Sequence, residues 1–455
     1  MPSRLWLAVI PALLLSACLQ ISVAEYNPAG TKSALVVADT TQTARDEVLA
    51  AGGTVSHSLP VLNAVGAKLP AEAIEKLSLN TKIRSVVIDE NLPGDKLPSS
   101  PESNQNSKPQ MRDPVAPPQN YWLTKLLNRR DHRLTGEGIG IAIIDTGIAA
   151  NDPEIGWLPN VIARYNSITD TEGGDVNDAT GHGTHLSSLI YGDGKSLQGI
   201  APNAALAVVK AFDTESHAYF LDVIRAVQWV IENKNRLGIR VLNMSVSASS
   251  EIPYFADPLN QAVTAAWNSG LVVVVSAGNQ GPEPHSVTAP GNNPWVITVG
   301  AASVAETSSS AEVPHFSGRG PTTLGHIKPN LIAPGVRLAG YVGDKSRRPS
   351  NEAVELTENG LWVASGASQA SAVVAGMVTL LLEARPELSN HDVKCILANT
   401  ATPLKNTDHL IGSPMTQGRG LINITSALAS NATDCEERLD HFSPETVIEG
   451  AYRSS

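Results

Sequence analysis

The chain has 455 residues, too long for one small core, and predicts roughly two to four domains. Hydrophobic residues make up 42% of it and aromatic residues 4%, with 36 glycines and 30 prolines. This composition is typical of a globular α/β protein with many tight turns and excludes a disordered chain. The net charge is −11 and there is no basic block, which argues against nucleic-acid binding and against docking on an anionic membrane.

Residues 1–18 predict an export signal, with a positive start, an apolar core over Leu5–Leu15 and small residues after it. The core is too short to span a bilayer as a mature helix. Its end, Leu-Ser-Ala-Cys18, resembles a bacterial lipobox, in which the cysteine is lipidated. Ordinary cleavage after Ala24 is the alternative. By the lipobox rule, Leu19 indicates an outer-membrane address, and both readings predict export.

Export determines how the thiols are interpreted. The three cysteines are Cys18, Cys395 and Cys435. In an oxidising compartment the last two are expected to pair. Such a bridge would tie the C-terminal tail, residues 431–455, to a helix beginning near Asn390 and stabilise the fold by ~2–4 kcal/mol. Two unpaired buried thiols are the alternative.

Residues 29–92 predict a small domain of their own. The predicted elements are strands at 33–38, 54–59, 62–69 and 83–88 and helices at 42–51 and 71–79. This βαββαβ order is the ferredoxin-like arrangement, which by itself carries no function. A linker follows over residues 93–120, whose Pro, Ser, Asn and Gln cannot bury a core and should be accessible to proteases.

Residues 121–430 predict an α/β domain. Strands are predicted at 138–144, 205–210, 240–245, 271–276 and 295–299, and helices notably at 217–233 and 257–268. Alternating strands and helices indicate a parallel sheet covered on both faces. A further helix is predicted from the small residues after Ala364 through the apolar run to Arg385, where Pro386 stops it.

Four polar residues stand at predicted element ends. Asp145 follows a buried strand, Asn279 follows another, and a carboxylate at such an edge lies where α/β sheets place their sites. His182 opens a helix, and Ser368 lies at the mouth of the apolar helix, where unpaired N–H groups favour a nucleophile that builds negative charge nearby. Alone, each has a commoner explanation: a turn aspartate, a close-packed helix start, or zinc at His182 and His185, although no HExxH spacing supports zinc.

Together these residues resemble the subtilisin-like serine protease family, whose known order is Asp, His, Ser. The resemblance extends over about residues 121–428, and six motifs in family order carry it. They are Asp145-Thr-Gly-Ile, Gly181-His-Gly-Thr-His, Asn243-Met-Ser, Ser276-Ala-Gly-Asn, Phe316-Ser-Gly-Arg-Gly-Pro, and Lys328-Pro-Asn leading to Ala333-Pro-Gly. The resemblance implies an α/β, three-layer fold with a mostly parallel sheet, preceded by a small α+β ferredoxin-like propeptide.

The resemblance also assigns roles. Ser368 would be the nucleophile, His182 its base, Asp145 the group that orients the imidazole, and Asn279 an oxyanion donor together with the Ser368 N–H. A separate set, Ser245, Val246, Ser247 and Gly278, would bind substrate as an added strand. Residues 29–92 would be an intramolecular inhibitor.

The expected function is therefore that of an exported serine endopeptidase acting on proteins or peptides, made as a self-inhibited zymogen and needing no cofactor. Self-cleavage within the linker would free the catalytic domain from a lipid anchor on the precursor, leaving the mature enzyme periplasmic or secreted. Structural calcium is common in the family, but the acidic segment Asp170–Asp178 lacks an EF-hand spacing.

Several positions depart from the family pattern. Gln369 and Ala372 replace a methionine and a proline beside the nucleophile, and Ser188 and Ser247 replace glycines. Small displacements are costly at such sites. Two alternatives therefore stay open: a catalytically silent fold that binds partners, and an acyl-transferring enzyme that ligates peptides.

Overall fold

The computed structural model describes residues 30–89, 91–93, 134–149, 160–192, 197–248, 250–304, 311–343, 357, 361–406, 409–410 and 413–430. The export signal with Cys18, the linker after residue 93, and the tail with Cys435 lie outside these residues. The predictions made for them stay predictions.

The N-terminal domain has the predicted ferredoxin-like arrangement. Its elements are β1 (Lys32–Ala38), α1 (Thr41–Ala50), β2 (Thr54–Leu59), β3 (Ala64–Leu69), α2 (Ala71–Ser78) and β4 (Ile83–Ile88). The antiparallel strands are ordered β2-β3-β1-β4. The one difference is that a 3₁₀ turn, Pro60–Leu62, takes up the start of the predicted third strand, because Asn63 adopts a left-handed conformation before β3.

Both faces of this domain's sheet contribute side chains to a core. Alternate side chains of β1, such as Ala34 and Val36, pack in the domain's own core with α1 and α2. Leu35 points the other way and joins the core of the second domain, as do Leu59 and Ala64. Burying one such leucine stabilises the contact by about 2 kcal/mol.

The second domain contains the remaining elements. The strands are β5 (Asn91–Pro93), β6 (Gly140–Asp145), β7 (Val161–Asn166), β8 (Thr171–Glu172), β9 (Ala205–Lys210), β10 (His217–Tyr219), β11 (Ile239–Met244), β12 (Val272–Ser276), β13 (Ile297–Val304), β14 (Ala311–Glu312), β15 (Leu331–Pro334), β16 (Leu338–Gly340), β17 (Trp362–Ala364), β18 (Lys405–Asn406) and β19 (His409–Leu410). The helices are α3 (His182–Tyr191), α4 (Phe220–Leu237), α5 (Pro258–Asn268), α6 (Ala367–Ala384), α7 (Asn390–Thr400), α8 (Pro414–Gln417) and α9 (Ile424–Ala429).

The central sheet has seven parallel strands in the order β15-β13-β12-β11-β6-β9-β7, with β8 and β14 forming short antiparallel pairs at β7 and β13. Its inner strands are largely buried, as in Val272–Ser276, which is why they read as unbroken apolar runs, whereas β7 near the edge is partly exposed. Helices α4 and α5 cover one face, and α3 and α6 cover the other. The predicted three-layer α/β fold is confirmed.

Helix α6 is the central helix of the core. Every residue from Ala367 to Leu382 is buried. It is the one described helix long and apolar enough to cross a membrane, but 89% of that window is enclosed by the protein. Small residues allow this: a Cβ on Gly376 would lie 2.9 Å from the Ile200 side chain. The helix ends at Ala384, as Pro386 requires.

The predicted helix at 217–233 is wrong at its start. The Asp213 carboxylate accepts hydrogen bonds from the N–H groups of Glu215 and His217, closing a turn that leaves the next residues extended. Residues His217–Tyr219 therefore form β10, and α4 begins at Phe220. Strand β10 pairs antiparallel with Asn91–Pro93, the segment that follows the N-terminal domain.

Polar contacts at the start of α4 join the two domains. The helix has no side-chain cap of its own, and Asp89 Oδ1 accepts from the Leu221 N–H at 3.2 Å. His57 Nε2 lies 3.1 Å from Asp222 Oδ1, a carboxylate that also bonds Arg225. The N-terminal domain thus satisfies groups that this helix would otherwise leave exposed.

The turn after β6 depends on a glycine. Gly147 has φ of +113°, and the next N–H, that of Ile148, bonds Val176 O at 2.8 Å. A Cβ on Gly147 would collide with that same Val176 carbonyl. Gly138 also has a positive φ, +79°, but a Cβ there would meet open space.

The two glycines form a matched pair for a stability test. We expect Gly138→Ala to cost about 1–2 kcal/mol from the left-handed backbone alone. Gly147→Ala should cost about 2 kcal/mol more, because a backbone carbonyl must move. Denaturant unfolding in a Ser368→Ala background, which removes the predicted nucleophile, measures both. Equal costs would show that the contact with Val176 is easily relaxed.

Asp257 gives a pH prediction. It caps α5 by accepting from the Asn260 N–H at 2.7 Å, and burial raises the pKa of its carboxyl to about 6. The folded protein therefore binds this proton more tightly than the unfolded chain. The resulting stability is fully present below pH about 4 and is lost as the pH rises through 6.

We expect Asp257→Asn, which keeps an oxygen acceptor for the cap, to raise the free energy of unfolding at pH 8 by about 1–2 kcal/mol. The gain should shrink towards zero as the pH falls from 7 to 4. A gain that does not vary with pH would contradict the assignment to Asp257.

Candidate active site

The structure brings the predicted site residues to one edge of the central sheet. Asp145 is the last residue of β6, Ser245 follows β11, and Asn279 lies three residues after β12. The carboxyl ends of these neighbouring parallel strands meet the starts of α3 and α6, which carry His182 and Ser368. Helices α3 and α6 pack directly against each other. The site therefore forms where α/β sheets place such groups.

Asp145 and His182 are in direct contact. Asp145 Oδ1 lies 2.7 Å from His182 Nδ1, and both residues are buried. An ionised carboxylate can only accept, so Nδ1 carries the hydrogen of the neutral ring and Nε2 is left as a proton acceptor. This is the tautomer that a general base requires.

Backbone and hydroxyl groups hold this pair in register. Thr146 Oγ1 accepts from the Gly183 N–H at 2.8 Å and donates to Asp145 Oδ1 at 3.2 Å, linking β6 to the first turn of α3. The cap of α3 comes from Asp178, which accepts from the N–H groups of Gly181 at 2.8 Å and Thr184 at 2.9 Å. A carboxylate here also complements the positive end of the helix dipole.

Lys210 places a buried cation beside Asp145. It ends β9 directly opposite Asp145 in the parallel register. Its Nζ donates to Thr146 O at 2.7 Å and to Asn177 O at 2.9 Å. Burial lowers the pKa of Lys210, while the carboxylates of Asp178, Asp175 and Asp145 oppose that shift. The lysine thus fixes the turn that follows the buried aspartate.

Ser368 is the second residue of α6. Its backbone carbonyl accepts from Ser371 Oγ at 2.9 Å, and Ser371 Oγ lies 3.0 Å from Ser245 Oγ. The start of the helix is held by the Gly366 N–H, which donates to Gly335 O at 2.7 Å. The nucleophile candidate thus stands at a helix N-terminus tied to the sheet.

Asn279 is oriented towards the same helix start. Its Oδ1 accepts from the Ala367 N–H at 2.8 Å, which leaves its NH₂ group without a partner among the described residues. The preceding Gly278 has φ of +85°, and a Cβ there would lie 2.5 Å from Thr288 Oγ1. The glycine therefore permits the turn that aims the amide.

The predicted substrate-binding residues have mostly inward side chains. Ser245 and Val246 are each 1% exposed, and Ser247 accepts from Thr288 Oγ1 at 3.3 Å. Gly278 is occupied with the turn before Asn279. This segment can meet a substrate mainly through its backbone.

His185 has a structural environment. Its Nε2 lies 3.2 Å from Leu338 O and 3.3 Å from Trp362 O, so that nitrogen is the donor. Burial, with the nearby charge of His182, lowers the pKa of His185 to about 4 and keeps it neutral. Within the described residues no three His, Cys, Asp or Glu side chains group as metal ligands, and Asp170–Asp178 is no exception.

The departures around Ser368 are accommodated in different ways. Ala372 is fully buried in α6. Ser188 Oγ donates to His185 O at 2.7 Å and accepts from the Tyr341 N–H at 3.0 Å. Gln369 is 1% exposed, and neither polar atom of its amide has a partner among the described residues.

Sequence reasoning missed Asp178, Lys210 and β10. The two charged residues look like ordinary polar positions until the fold places them beside Asp145 and α3. For β10, the turn residues around Asp213 were the available signal. Cys395 is buried on α7, and Cys435 lies outside the described residues, so the predicted bridge stays a prediction.

Comparisons with known proteins identify the family of the chain. Residues 136–420 match the model of the Subtilase family. Serine protease AprX of Bacillus subtilis (strain 168) is 32% identical over 311 residues, 66% of this chain and 68% of AprX. Subtilisin J of Geobacillus stearothermophilus is 27% identical over 438 residues, 93% of this chain and 98% of that protein.

Among solved structures, fervidolysin from Fervidobacterium pennivorans, a keratinolytic enzyme related to subtilisin, has a TM-score of 0.69 at 23% identity. The match covers 90% of this chain and 63% of fervidolysin, so the chain spans less than two thirds of that protein, and the likeness shows the fold. The family match covers more than half of the chain, and the chain therefore belongs to the subtilase family of serine endopeptidases.

Proposed function

We propose that the chain is an exported serine endopeptidase that hydrolyses peptide bonds through Asp145, His182 and Ser368. Membership of the subtilase family supports peptide-bond hydrolysis, and subtilases need no cofactor for it. The observation that carries the residue assignment is the 2.7 Å contact between Asp145 and His182 beside the start of α6.

The mechanism follows from that contact. Ser368 attacks the substrate carbonyl carbon while His182 Nε2 takes the hydroxyl proton. His182 then gives this proton to the leaving amine as the C–N bond breaks, and an acyl-enzyme remains on Ser368. Water attacks the acyl group with His182 again as base. Asp145 holds the tautomer and stabilises the imidazolium in both halves.

Asn279 would stabilise the negative oxygen. Its amide oxygen is held by the Ala367 N–H, and its NH₂ group has no partner among the described residues. That NH₂ group and the Ser368 N–H at the start of α6 form a pair of preorganised donors. Donors that need no reorganisation lower the free energy of the tetrahedral intermediate relative to the substrate.

The segment Asn91–Pro93 supports an extended mode of substrate binding. It adds an antiparallel strand to β10, with Leu92 opposite Ala218. Main-chain pairing of this kind gives affinity without demanding a particular sequence. We assign β10, rather than the side chains of Ser245 to Ser247, as the edge that a peptide substrate shares with this segment.

The same contact supports a self-inhibited precursor. While Asn91–Pro93 occupies β10, a substrate cannot pair there. The N-terminal domain also buries Leu35 and Leu59 against the second domain and caps α4 with Asp89. Cleavage after Pro93, within the linker 93–120, would allow this domain and its Asn91–Pro93 segment to leave β10.

The proposed enzyme is exported. Relatives named as subtilisins belong to bacteria, and residues 1–18 have the pattern of an export signal. If Cys18 is lipidated, the anchor belongs to the precursor, and cleavage in the linker frees a periplasmic or secreted enzyme. In that oxidising compartment Cys395 and Cys435 form the bridge that ties down the tail.

The first experiment uses a fluorophosphonate probe and intact mass on wild type and Ser368→Ala. We expect the wild type to be labelled once, at Ser368, on a shortened chain that begins after Pro93. Ser368→Ala should stay unlabelled and full-length, because it has no nucleophile. A full-length, unlabelled wild type would favour a catalytically silent fold instead.

The second experiment tests inhibition by the N-terminal domain. We expect Asp89→Ala in the full chain to make hydrolysis of a small peptide anilide appear several-fold earlier, because the cap on α4 is lost. Asp39→Ala is the matched control, since Asp39 pairs with Arg84 inside the N-terminal domain and is exposed. Equal lag times in all three proteins would contradict an inhibitory role for this interface.

A further inference from the structure

Gln369 directly follows the nucleophile candidate and carries a buried amide with unmet hydrogen bonds. The side chain is 1% exposed, and both Nε2 and Oε1 lack a partner among the described residues. A buried amide left in this state destabilises a fold, because its hydration is lost and nothing replaces it. The presence of an unpaired buried amide at this position therefore calls for a functional explanation.

The fold satisfies a comparable amide elsewhere. Gln417 is also buried, at 2% exposed, and its Oε1 accepts from the Leu404 N–H at 2.7 Å. A buried glutamine whose role is structural is thus bonded within the protein. The unmet amide of Gln369 lies instead beside the reacting groups.

The side-chain amides of Gln369 and Asn279 both approach Gly366. A Cβ placed on Gly366 would lie 2.5 Å from Gln369 Oε1 and 3.4 Å from Asn279 Nδ2. The two amides therefore border the backbone at Gly366, immediately before the Ala367 and Ser368 N–H groups. A Cβ at position 366 would collide with the Gln369 oxygen, so a glycine is needed for this arrangement.

We propose that the Gln369 amide hydrogen-bonds the scissile peptide group of a bound substrate, a role that rests on the proposed function. A peptide group offers one acceptor and one donor. The Asn279 NH₂ and Ser368 N–H take the carbonyl oxygen, and the Gln369 carbonyl accepts from the scissile N–H. Substrate binding then satisfies the amide that folding leaves unmet.

This contact acts on the leaving nitrogen. When Ser368 adds to the carbonyl carbon, the nitrogen becomes tetrahedral and keeps its hydrogen. Its lone pair must receive the proton that His182 carries before the C–N bond breaks. Holding the N–H in one direction fixes the direction of the lone pair. Gln369 itself gains and loses no proton.

The consequence is selectivity for amides over esters. An ester has the carbonyl oxygen but no N–H on its leaving side, so it cannot use the Gln369 acceptor. A site that binds a donor rejects an analogue lacking it, because a buried polar group is left unpaired. Gln369 is therefore a catalytic residue for amide substrates and makes no contribution to the cleavage of esters.

The test compares Gln369→Met and Gln369→Leu with wild type on a peptide p-nitroanilide and a thiobenzyl ester of the same peptide. We expect kcat/KM for the anilide to fall about fivefold to tenfold relative to that for the ester. Thermal unfolding in a Ser368→Ala background should occur about 2 °C higher, because an unpaired buried amide is removed.

Gln417→Met is the matched control. It removes a buried amide that is bonded, so it should lower the unfolding temperature and leave the anilide-to-ester ratio unchanged. A ratio within twofold of wild type in whichever Gln369 variant folds overturns the proposal. A wild type that hydrolyses neither substrate and takes no fluorophosphonate label overturns the proposed function instead.

Discussion

The hydrogen bond between His182 Nδ1 and Asp145 Oδ1 is the contact on which the arrangement of the site depends. It joins the end of β6 to the start of α3, and it selects the tautomer in which Nε2 can accept a proton. The surrounding polar groups hold its two ends still. Thr146 bonds both Asp145 and the Gly183 N–H at the start of α3, and Lys210 donates to the Thr146 carbonyl in the turn after β6. Because a displacement of about 1 Å is costly for catalysis, this support matters as much as the pair itself.

The N-terminal domain depends on the second domain in a complementary way. Its sheet uses alternate residues of β1 for two different cores, so Leu35 would be exposed if the domain stood alone. Its interface also carries Asp89, whose pKa is raised by burial, and His57 against Asp222. A domain that buries apolar surface and titratable groups at one contact is well suited to temporary attachment, since the proposed cleavage after Pro93 would remove the covalent link that keeps its effective concentration high.

Much of this could be predicted from the sequence. The strands and helices of the N-terminal domain follow from the periodicity of its hydrophobic residues and the positions of its glycines. The buried helix at Ser368 follows from its apolar run and from Pro386. The α/β class follows from alternating buried strands, and family motifs locate Asp145, His182, Asn279 and Ser368. These signals are local, or they are patterns that one family repeats.

What the sequence could not predict was contact between distant segments. The turn at Asp213 places His217–Tyr219 in strand β10 instead of at the start of a helix. This strand pairs with Asn91–Pro93, a distant segment, and the sequence alone does not reveal that pairing. Lys210 acts through Thr146 and Asn177, which are 64 and 33 positions away, and no local pattern reveals such contacts. Asp178 bonds Gly181 and Thr184, only three and six positions further on, but its role as a cap depends on where α3 begins.

The distribution of unmet polar atoms links stability to chemistry. Among the described residues, buried side-chain atoms without a partner include Asp145 Oδ2, both polar atoms of Gln369 and Asn243, and Ser276 Oγ. All four residues lie at the carboxyl ends of the central strands or on the helix that meets them. A core selected only for stability would replace such groups with apolar ones of similar shape. Unpartnered buried atoms also occur away from this edge, as in Arg225, Arg319 and Arg385, so they mark a functional site only where geometry places them beside groups that can react.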